Sequence, residues 1–194
     1  MAVQGATDWL TYLSCRAGRV TSQGGQDGVL QAIFDAIGVT NRFYVEFGFN
    51  CDTIDGGSGP NIAQLHARGW RGLLLDGTFS NPSINLHRRF LTSDNVCAVF
   101  SEFSVPQEPD YVSIDVDSTD LWLMRSVMAG YRPRVVTCEF NSSFGLEHAI
   151  THENAGGDWQ GDRVYGASLR ALVMAASEYA YTLVYVESFP QCYL

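Results

Sequence analysis

Acidic side chains recur at the ends of apolar runs in this sequence. Glu46, Asp76, Asp115 and Glu139 each end or directly follow such a run, and neighbouring polar residues extend the set: Ser101, Glu102, Asp117 and Asn141. If the runs are buried parallel strands, their carboxyl ends lie along one edge of a sheet, where ligands bind in open α/β folds. A carboxylate at a buried strand end is costly without a partner. The repetition therefore indicates a binding site at that edge.

Asp76, after the second predicted strand, has a specific use in nucleotide-binding α/β folds. A carboxylate at this place accepts hydrogen bonds from both hydroxyls of a ribose. After the first predicted strand, Gly48 would let the backbone approach a ligand closely, because glycine has no β-carbon. These residues predict a nucleoside-containing cofactor at the ends of the first two strands. The simpler interpretation of Asp76 is a solvated residue in an Asp-Gly turn.

Strand-like and helix-like segments alternate along the chain, and these elements must position the acids. Strands are predicted at residues 43–47, 70–77, 95–100, 109–117, 134–141, 181–186 and 191–194. Helices are predicted at 29–37, 61–68, 85–90, 120–128 and 165–179. The strand segments are continuous apolar runs, which is typical of strands buried on both faces. The alternation predicts an α/β fold with a doubly wound, mostly parallel sheet.

The length and composition of the chain fit one globular domain. With 194 residues, 46% of them hydrophobic and 17% charged, the chain can bury a large core. We expect a single domain over residues 1–194, with residues 1–21 as an N-terminal extension or a lid. The five cysteines are widely spaced and include no Cys-x-x-Cys pair, so zinc sites and a disulfide framework are poorly supported.

The charge of the chain argues against two classes of partner. Its net charge is −9 and its 12 basic residues are scattered, whereas binding to a phosphate backbone needs clustered Lys and Arg. Nucleic acids and anionic membranes are therefore unexpected partners. No apolar run approaches the ~18 residues that span a bilayer, and residues 1–13 lack the pattern of a signal peptide. We expect no membrane span and a cytoplasmic location.

Several stretches, in their order and spacing, resemble the FkbM-like type of S-adenosylmethionine-dependent methyltransferase. Together they cover roughly residues 22–194 and comprise YVEFG at 44–48, Asn61-x-x-x-Leu65, GWRGLLLDG at 69–77, DYVSIDVD at 110–117, EFN at 139–141 and YGASL at 165–169. The resemblance implies a Rossmann-like methyltransferase fold with a seven-stranded sheet, whose last strand is antiparallel.

The same resemblance assigns parts of S-adenosylmethionine to individual residues. Glu46 and Gly48 would lie beside its methionine part, and Asp76 would bind its ribose. Asp115 would lie near the methyl group, whereas the adenine would lie near Ser101 and Glu102. The predicted cofactor set is completed by Asn50, Asn61 and Gly77.

A weaker resemblance to catechol-type O-methyltransferases predicts a metal ion. Those enzymes hold Mg²⁺ with an Asp after the fourth strand and an Asp-Asn pair after the fifth. Here Asp115, Glu139 and Asn141 are the predicted ligands, with Asp117 as an alternative to Asp115. Hard divalent cations prefer such oxygen ligands, and Mg²⁺ would lower the pKa of a bound hydroxyl. Alternatively, these side chains accept hydrogen bonds at the starts of loops.

Four residues are candidates for the catalytic base: Asp115, Asp117, His148 and His152. Histidine suits proton transfer near neutral pH. Both histidines lie in a polar loop over residues 142–163, where Phe144 and Trp159 could form an apolar wall for an acceptor or cap the core. A loop histidine could equally be a solvated side chain.

These patterns predict a methyltransferase that acts on an oxygen of a small polar molecule or a sugar. Two alternatives stay open. A nicotinamide-dependent oxidoreductase could use the same kind of sheet, although the Gly-x-Gly-x-x-Gly spacing is absent after the first strand. A non-catalytic binding protein is the second alternative, because the first loop departs from the family pattern and its Gly56-Gly57 come late.

Overall fold

A seven-stranded sheet runs through the structure, a computed structural model that describes residues 2–57, 59–154, 165–187 and 191–194. The strands are β1 (Phe43–Phe47), β2 (Arg71–Asp76), β3 (Leu86–Arg88), β4 (Tyr111–Ile114), β5 (Val135–Glu139), β6 (Tyr185–Val186) and β7 (Gln191–Tyr193). The helices are α1 (Ala2–Arg16), α2 (Gln26–Ile37), α3 (Ala63–Ala67), α4 (Val96–Glu102), α5 (Asp120–Gly130) and α6 (Leu169–Ser177). Short 3₁₀ turns lie at Pro82–Ile84 and Ser142–Phe144.

The order of the strands across the sheet is β3-β2-β1-β4-β5-β7-β6. Strands β1 to β5 pair in parallel, and β7 is antiparallel to both β5 and β6. The prediction of an α/β fold with a mostly parallel, seven-stranded sheet is confirmed. The order differs from the 3-2-1-4-5-6 order of dinucleotide-binding folds because β7 lies between β5 and β6.

Helices cover both faces of this sheet. Since successive side chains of a strand point to opposite faces, Val45 and Phe47 of β1 pack in one layer with residues of α4, α5 and α6. Tyr44 packs in the other layer, with residues of α1, α2 and α3. Leu13 of α1 is fully buried in that second layer. The helix over residues 2–16 is thus part of the packed fold.

Two predicted elements are wrong. The segment predicted as a helix at 85–90 contains β3, and the segment predicted as a strand at 95–100 begins α4. A short apolar run fits a buried strand and a buried helix equally well, so periodicity does not separate them. In the structure Val96, Val99 and Phe100 are buried while Ala98 is exposed, which is the spacing of one helix face.

The other predicted elements are present, several of them with different ends. Strand β1 has the predicted bounds, whereas β6 retains only the last two residues of the predicted strand 181–186. The helix predicted at 165–179 is shorter, because Ser168 caps its start by accepting a hydrogen bond from the Ala171 N–H. Among the described residues, no helix is long and apolar enough to cross a membrane.

Candidate functional site

A cavity of about 480 Å³ lies at the carboxyl ends of β1, β2, β4 and β5. Its volume falls within the range of roughly 300–1,000 Å³ that small-molecule sites occupy. The structure brings nine of the predicted site residues to its wall: Glu46, Gly48, Asn50, Asn61, Asp76, Gly77, Asp115, Asp117 and Glu139. The acids that follow separate strands therefore share one cavity.

Glu46 ties the end of β1 to the start of α3. Its buried carboxylate accepts hydrogen bonds from the main-chain N–H groups of Asn61, at 2.9 Å, and Ile62, at 3.2 Å. Burial raises the pKa of Glu46 to about 7, although these two hydrogen bonds act in the opposite direction. The carboxyl group at this wall of the cavity therefore changes its charge near neutral pH.

A buried polar network, which the sequence did not reveal, positions Asn61. Its side-chain amide donates to the Ser113 hydroxyl at 3.0 Å. The hydroxyl of Thr137 lies 3.3 Å from that of Ser113 and 2.6 Å from that of Tyr111. The chain of hydrogen bonds crosses β4 and β5 beneath the cavity, so it fixes Asn61 from the interior of the protein.

Glycine is required at position 48 by contacts within the protein itself. Gly48 has a φ angle of +77°, and a β-carbon built on it would overlap the carbonyl oxygen of Asp115. We expected this glycine to let the backbone approach a ligand. The close approach in the structure is between two protein segments, the loop after β1 and the end of β4.

Asp76 joins the loops that follow β1 and β2. Its Oδ2 atom accepts the Asn50 N–H at 2.8 Å. Its Oδ1 atom accepts the N–H groups of Thr78, at 2.6 Å, and Phe79, at 2.9 Å. An ionised carboxylate has about four acceptor positions, so one remains on Oδ2 for a hydroxyl of a ligand.

Three carboxyl groups converge at the opposite end of the cavity. Asp115, Asp117 and Glu139 each offer an oxygen atom within 4.8 Å of the others. Burial, followed by repulsion from neighbouring carboxylates, raises the pKa values of Asp115 and Glu139 well above those of ordinary carboxyl groups. Burial also raises the pKa of Asp117. The cluster therefore favours either bound protons or a cation.

Two oxygen atoms at this end have no hydrogen-bond donor among the described residues: Oε2 of Glu139 and Oδ2 of Asp120. Asp120 is fully buried, and its Oδ1 atom accepts the Val116 N–H at 2.8 Å. Burial raises the pKa of Asp120 to about 6. The sequence identified Asp120 only as the start of a helix and gave no sign of its place beside the cluster.

The structure places one predicted metal ligand apart from the other two. Asn141 is not among the described residues that line the cavity, because its side chain serves the local fold. Its Oδ1 atom accepts the Ser143 N–H at 2.9 Å, and its Nδ2 atom donates to the carbonyl of Tyr165 at 3.0 Å. The three convergent carboxyl groups, with Asp117 in place of Asn141, fit the oxygen preference of a hard divalent cation.

The two residues predicted near the adenine lie apart from the cavity wall. Ser101 and Glu102 belong to α4 and are not among the described residues that line the cavity. Glu102 instead forms an exposed ion pair with Arg89 at 2.7 Å. The cavity wall beside Asp76 is formed by three residues that follow β3: Arg89, Phe90 and Leu91. They were missed because this region was predicted to be helical.

Neither candidate histidine lies at the cavity. The His148 side chain is exposed, while the His152 ring lies 3.1 Å from the carbonyl of Glu153. The Ser168 hydroxyl fastens this loop: it donates to the carbonyl of His148 at 2.8 Å and accepts the Ile150 N–H at 3.0 Å. These hydrogen bonds hold the main chain at His148 and Ile150 against the start of α6, and neither residue is among the described residues that line the cavity. Phe144 is half-buried outside the cavity lining, and Trp159 lies outside the described residues.

Comparison of the sequence with models of protein families gave no match, and comparison with curated proteins gave none either.

Proposed function

We propose that this protein is an S-adenosylmethionine-dependent methyltransferase that acts on an oxygen of a small polar molecule or a sugar. The observation that carries the proposal is the shared cavity, whose wall holds Glu46, Asp76 and Asp115 from three adjacent strands. The resemblance of the sequence assigns these residues to three parts of one cofactor. The antiparallel β7 between β5 and β6 adds support, because the resemblance also implies an antiparallel last strand.

Residues at the β2 and β3 ends would hold the nucleoside. Asp76 has acceptor capacity left on Oδ2 for a ribose hydroxyl. Phe90 is 62% exposed and forms part of the cavity wall, so its ring offers an apolar surface for a base. The guanidinium of Arg89 is oriented by its ion pair with Glu102. Recognition of the adenine therefore falls to Arg89, Phe90 and Leu91 in this proposal.

Residues at the β1, β4 and β5 ends would align the reaction. Bound S-adenosylmethionine supplies a methyl group activated by its sulfonium. The protein holds the acceptor in line with it, because alignment is the main contribution that an enzyme makes to such a displacement. Asp117 is the most exposed of the three clustered acids and has a raised pKa, so it suits acceptance of the acceptor's proton.

The acidic cluster could allow a metal ion to assist the methyl transfer. Asp115, Asp117 and Glu139 would hold Mg²⁺, and the ion would orient the acceptor oxygen and favour its ionised form. The donor-free Oε2 of Glu139 supports this assignment, because a buried carboxylate oxygen without a hydrogen bond is costly unless a cation or a proton neutralises it.

A thermal-shift assay with S-adenosylmethionine, S-adenosylhomocysteine and NAD(H) tests the cofactor. A ligand that binds only the folded state raises the melting temperature, so we expect both sulfur nucleosides to stabilise the protein. Stabilisation by NAD(H) alone would overturn the proposal in favour of an oxidoreductase. A response to none of the ligands would point to a non-catalytic binding protein.

A further inference from the structure

The segment before α2 forms a wall of the cavity and is held in place by one carboxylate. Asp27, at the start of α2, is buried and accepts three main-chain N–H groups. They belong to Val20 at 2.8 Å, Thr21 at 2.6 Å and Ser22 at 2.9 Å. The Thr21 hydroxyl donates to the same carboxylate at 3.1 Å. The chain is thus wrapped around Asp27 before it enters the helix.

Two further contacts fix the part of this segment nearest to the cavity. The Gly24 N–H donates to Oε1 of Gln26 at 2.6 Å. Gly59, with a φ angle of +108°, packs so closely that an added β-carbon would overlap the Thr21 carbonyl and lie 3.1 Å from the Gln23 nitrogen. The segment therefore rests against the glycine-rich loop that follows β1.

Gln23 is the residue that this scaffold presents to the cavity. It lines the same space as Glu46 and Gly48, on the side of the β1 loop. Gln23 is half-buried, and no described residue forms a hydrogen bond with its side-chain amide. A polar side chain that is held at a cavity wall without a protein partner is available to a ligand.

We propose that Gln23 binds the amino-acid end of the cofactor, an inference that rests on the proposed function. A primary amide carries two N–H donors, which match a carboxylate. Glu46 lines the same cavity, and its carboxylate would attract an ammonium group. The two residues together complement an amino acid's carboxylate and ammonium. Because Asp27 and Gly59 fix the main chain of this segment, the backbone of Gln23 needs no further ordering when the ligand binds.

The test compares two ligands that differ only in the amino-acid end of the cofactor. S-adenosylhomocysteine carries the amino-acid group, whereas 5′-methylthioadenosine has the same nucleoside and thioether without it. We expect Gln23→Ala to weaken binding of S-adenosylhomocysteine by about tenfold in isothermal titration calorimetry, the size of one lost hydrogen bond to a charged group. Binding of 5′-methylthioadenosine should stay within about twofold of wild type.

Gln64→Ala is the matched control, because Gln64 is also half-buried and lies outside the cavity lining. It should leave both affinities unchanged. Gln23→Glu is the second variant: its negative charge should weaken S-adenosylhomocysteine further than Gln23→Ala does and spare 5′-methylthioadenosine. Each variant compares the two ligands by itself, so the inference stays testable if one of the Gln23 variants folds poorly.

The failures of the two proposals are distinct. If wild-type protein binds neither ligand, the proposed function fails and the role of Gln23 fails with it. If wild-type protein binds both ligands, and the Gln23 variants weaken both equally or neither, the methyltransferase proposal stands and the assignment of Gln23 is overturned.

Discussion

The α-carbon of Gly48 lies against the carbonyl oxygen of Asp115, with no room for a β-carbon between them. One residue begins the loop after β1, and the other is the first residue after β4, an adjacent strand. The contact sets the distance between two walls of the cavity. It therefore links the stability of the fold to the shape of the site.

Gly48→Ala should destabilise the protein by about 3 kcal/mol or more. A positive φ angle alone costs an alanine about 1–2 kcal/mol, and overlap with the backbone of Asp115 adds a strain of about 1–3 kcal/mol. Denaturation by urea measures the change in the free energy of unfolding.

Gly69→Ala is the matched control for that measurement. Gly69 has a φ angle of +80°, close to that of Gly48, but nothing lies within 4 Å of its added β-carbon. This variant should lose only about 1–2 kcal/mol, the cost of the φ angle itself. Equal losses in the two variants would show that the Asp115 contact contributes nothing.

Asp76→Asn should weaken both the cofactor site and the loops around it. An asparagine has one acceptor oxygen where aspartate has two. It therefore loses either the Asn50 N–H together with the position left for a ribose hydroxyl, or the N–H groups of Thr78 and Phe79. We expect about a tenfold loss of affinity for S-adenosylhomocysteine and a stability loss of about 1–3 kcal/mol. Calorimetry and urea denaturation measure the two effects. Asp94→Asn, at an exposed position, is the control. If Asp76→Asn leaves the affinity for S-adenosylhomocysteine unchanged, Asp76 is not part of the cofactor site.

Elements with a clearly bounded apolar run were predicted correctly from the sequence, whereas elements with short or ambiguous runs were not. Strand β1 was predicted to the residue, because its apolar run stands between the polar Arg42 and the glycine at position 48. Element α4 was misassigned, because five apolar residues over 96–100 satisfy the strand and the helix pattern alike. Strand β3 has three residues, too few for any pattern to show.

The same reasoning explains which site residues were predictable. Acids at strand ends were found because parallel strands place all their carboxyl ends on one edge. Asn141 lies apart from the acidic cluster, where its side chain caps a turn, and a capping asparagine and a metal-binding asparagine look alike in sequence. Gln23 gave no signal, because its placement depends on Asp27 and Gly59, which lie at different distances along the chain.

Glu46 should make the stability of the protein fall as the pH rises from about 4.5 to about 7. Burial raises the folded-state pKa of Glu46 from 4.5 to about 7, so over this range the folded protein binds a proton that the unfolded chain has released. The stabilisation is present in full below pH 4.5 and is lost as the pH passes 7. A shift of this size corresponds to about 3 kcal/mol.

Replacement of Glu46 by Gln isolates this effect. The variant lacks the titrating group, so the difference in unfolding free energy between wild type and Glu46→Gln should change by about 3 kcal/mol between pH 4.5 and pH 8. Urea denaturation at a series of pH values provides the profile. Glu153→Gln, at an exposed position, controls for the loss of one surface carboxylate. A constant difference across the series would show that Glu46 is not the group responsible.

Divalent cations should stabilise the protein through the acidic cluster. Mg²⁺ or Mn²⁺ that binds Asp115, Asp117 and Glu139 would offset their repulsion and raise the melting temperature in proportion to the logarithm of the ion concentration above Kd. Because protons compete for the same oxygens, the increase should be larger at pH 8 than at pH 6. Glu139→Gln should abolish it, whereas Glu147→Gln, at an exposed position outside the cavity, should retain it. Two results would rule out the metal-assisted form of the reaction: a melting temperature that neither ion changes, or full methyl transfer in the presence of EDTA. Asp117 would then accept the proton of the acceptor without a metal ion.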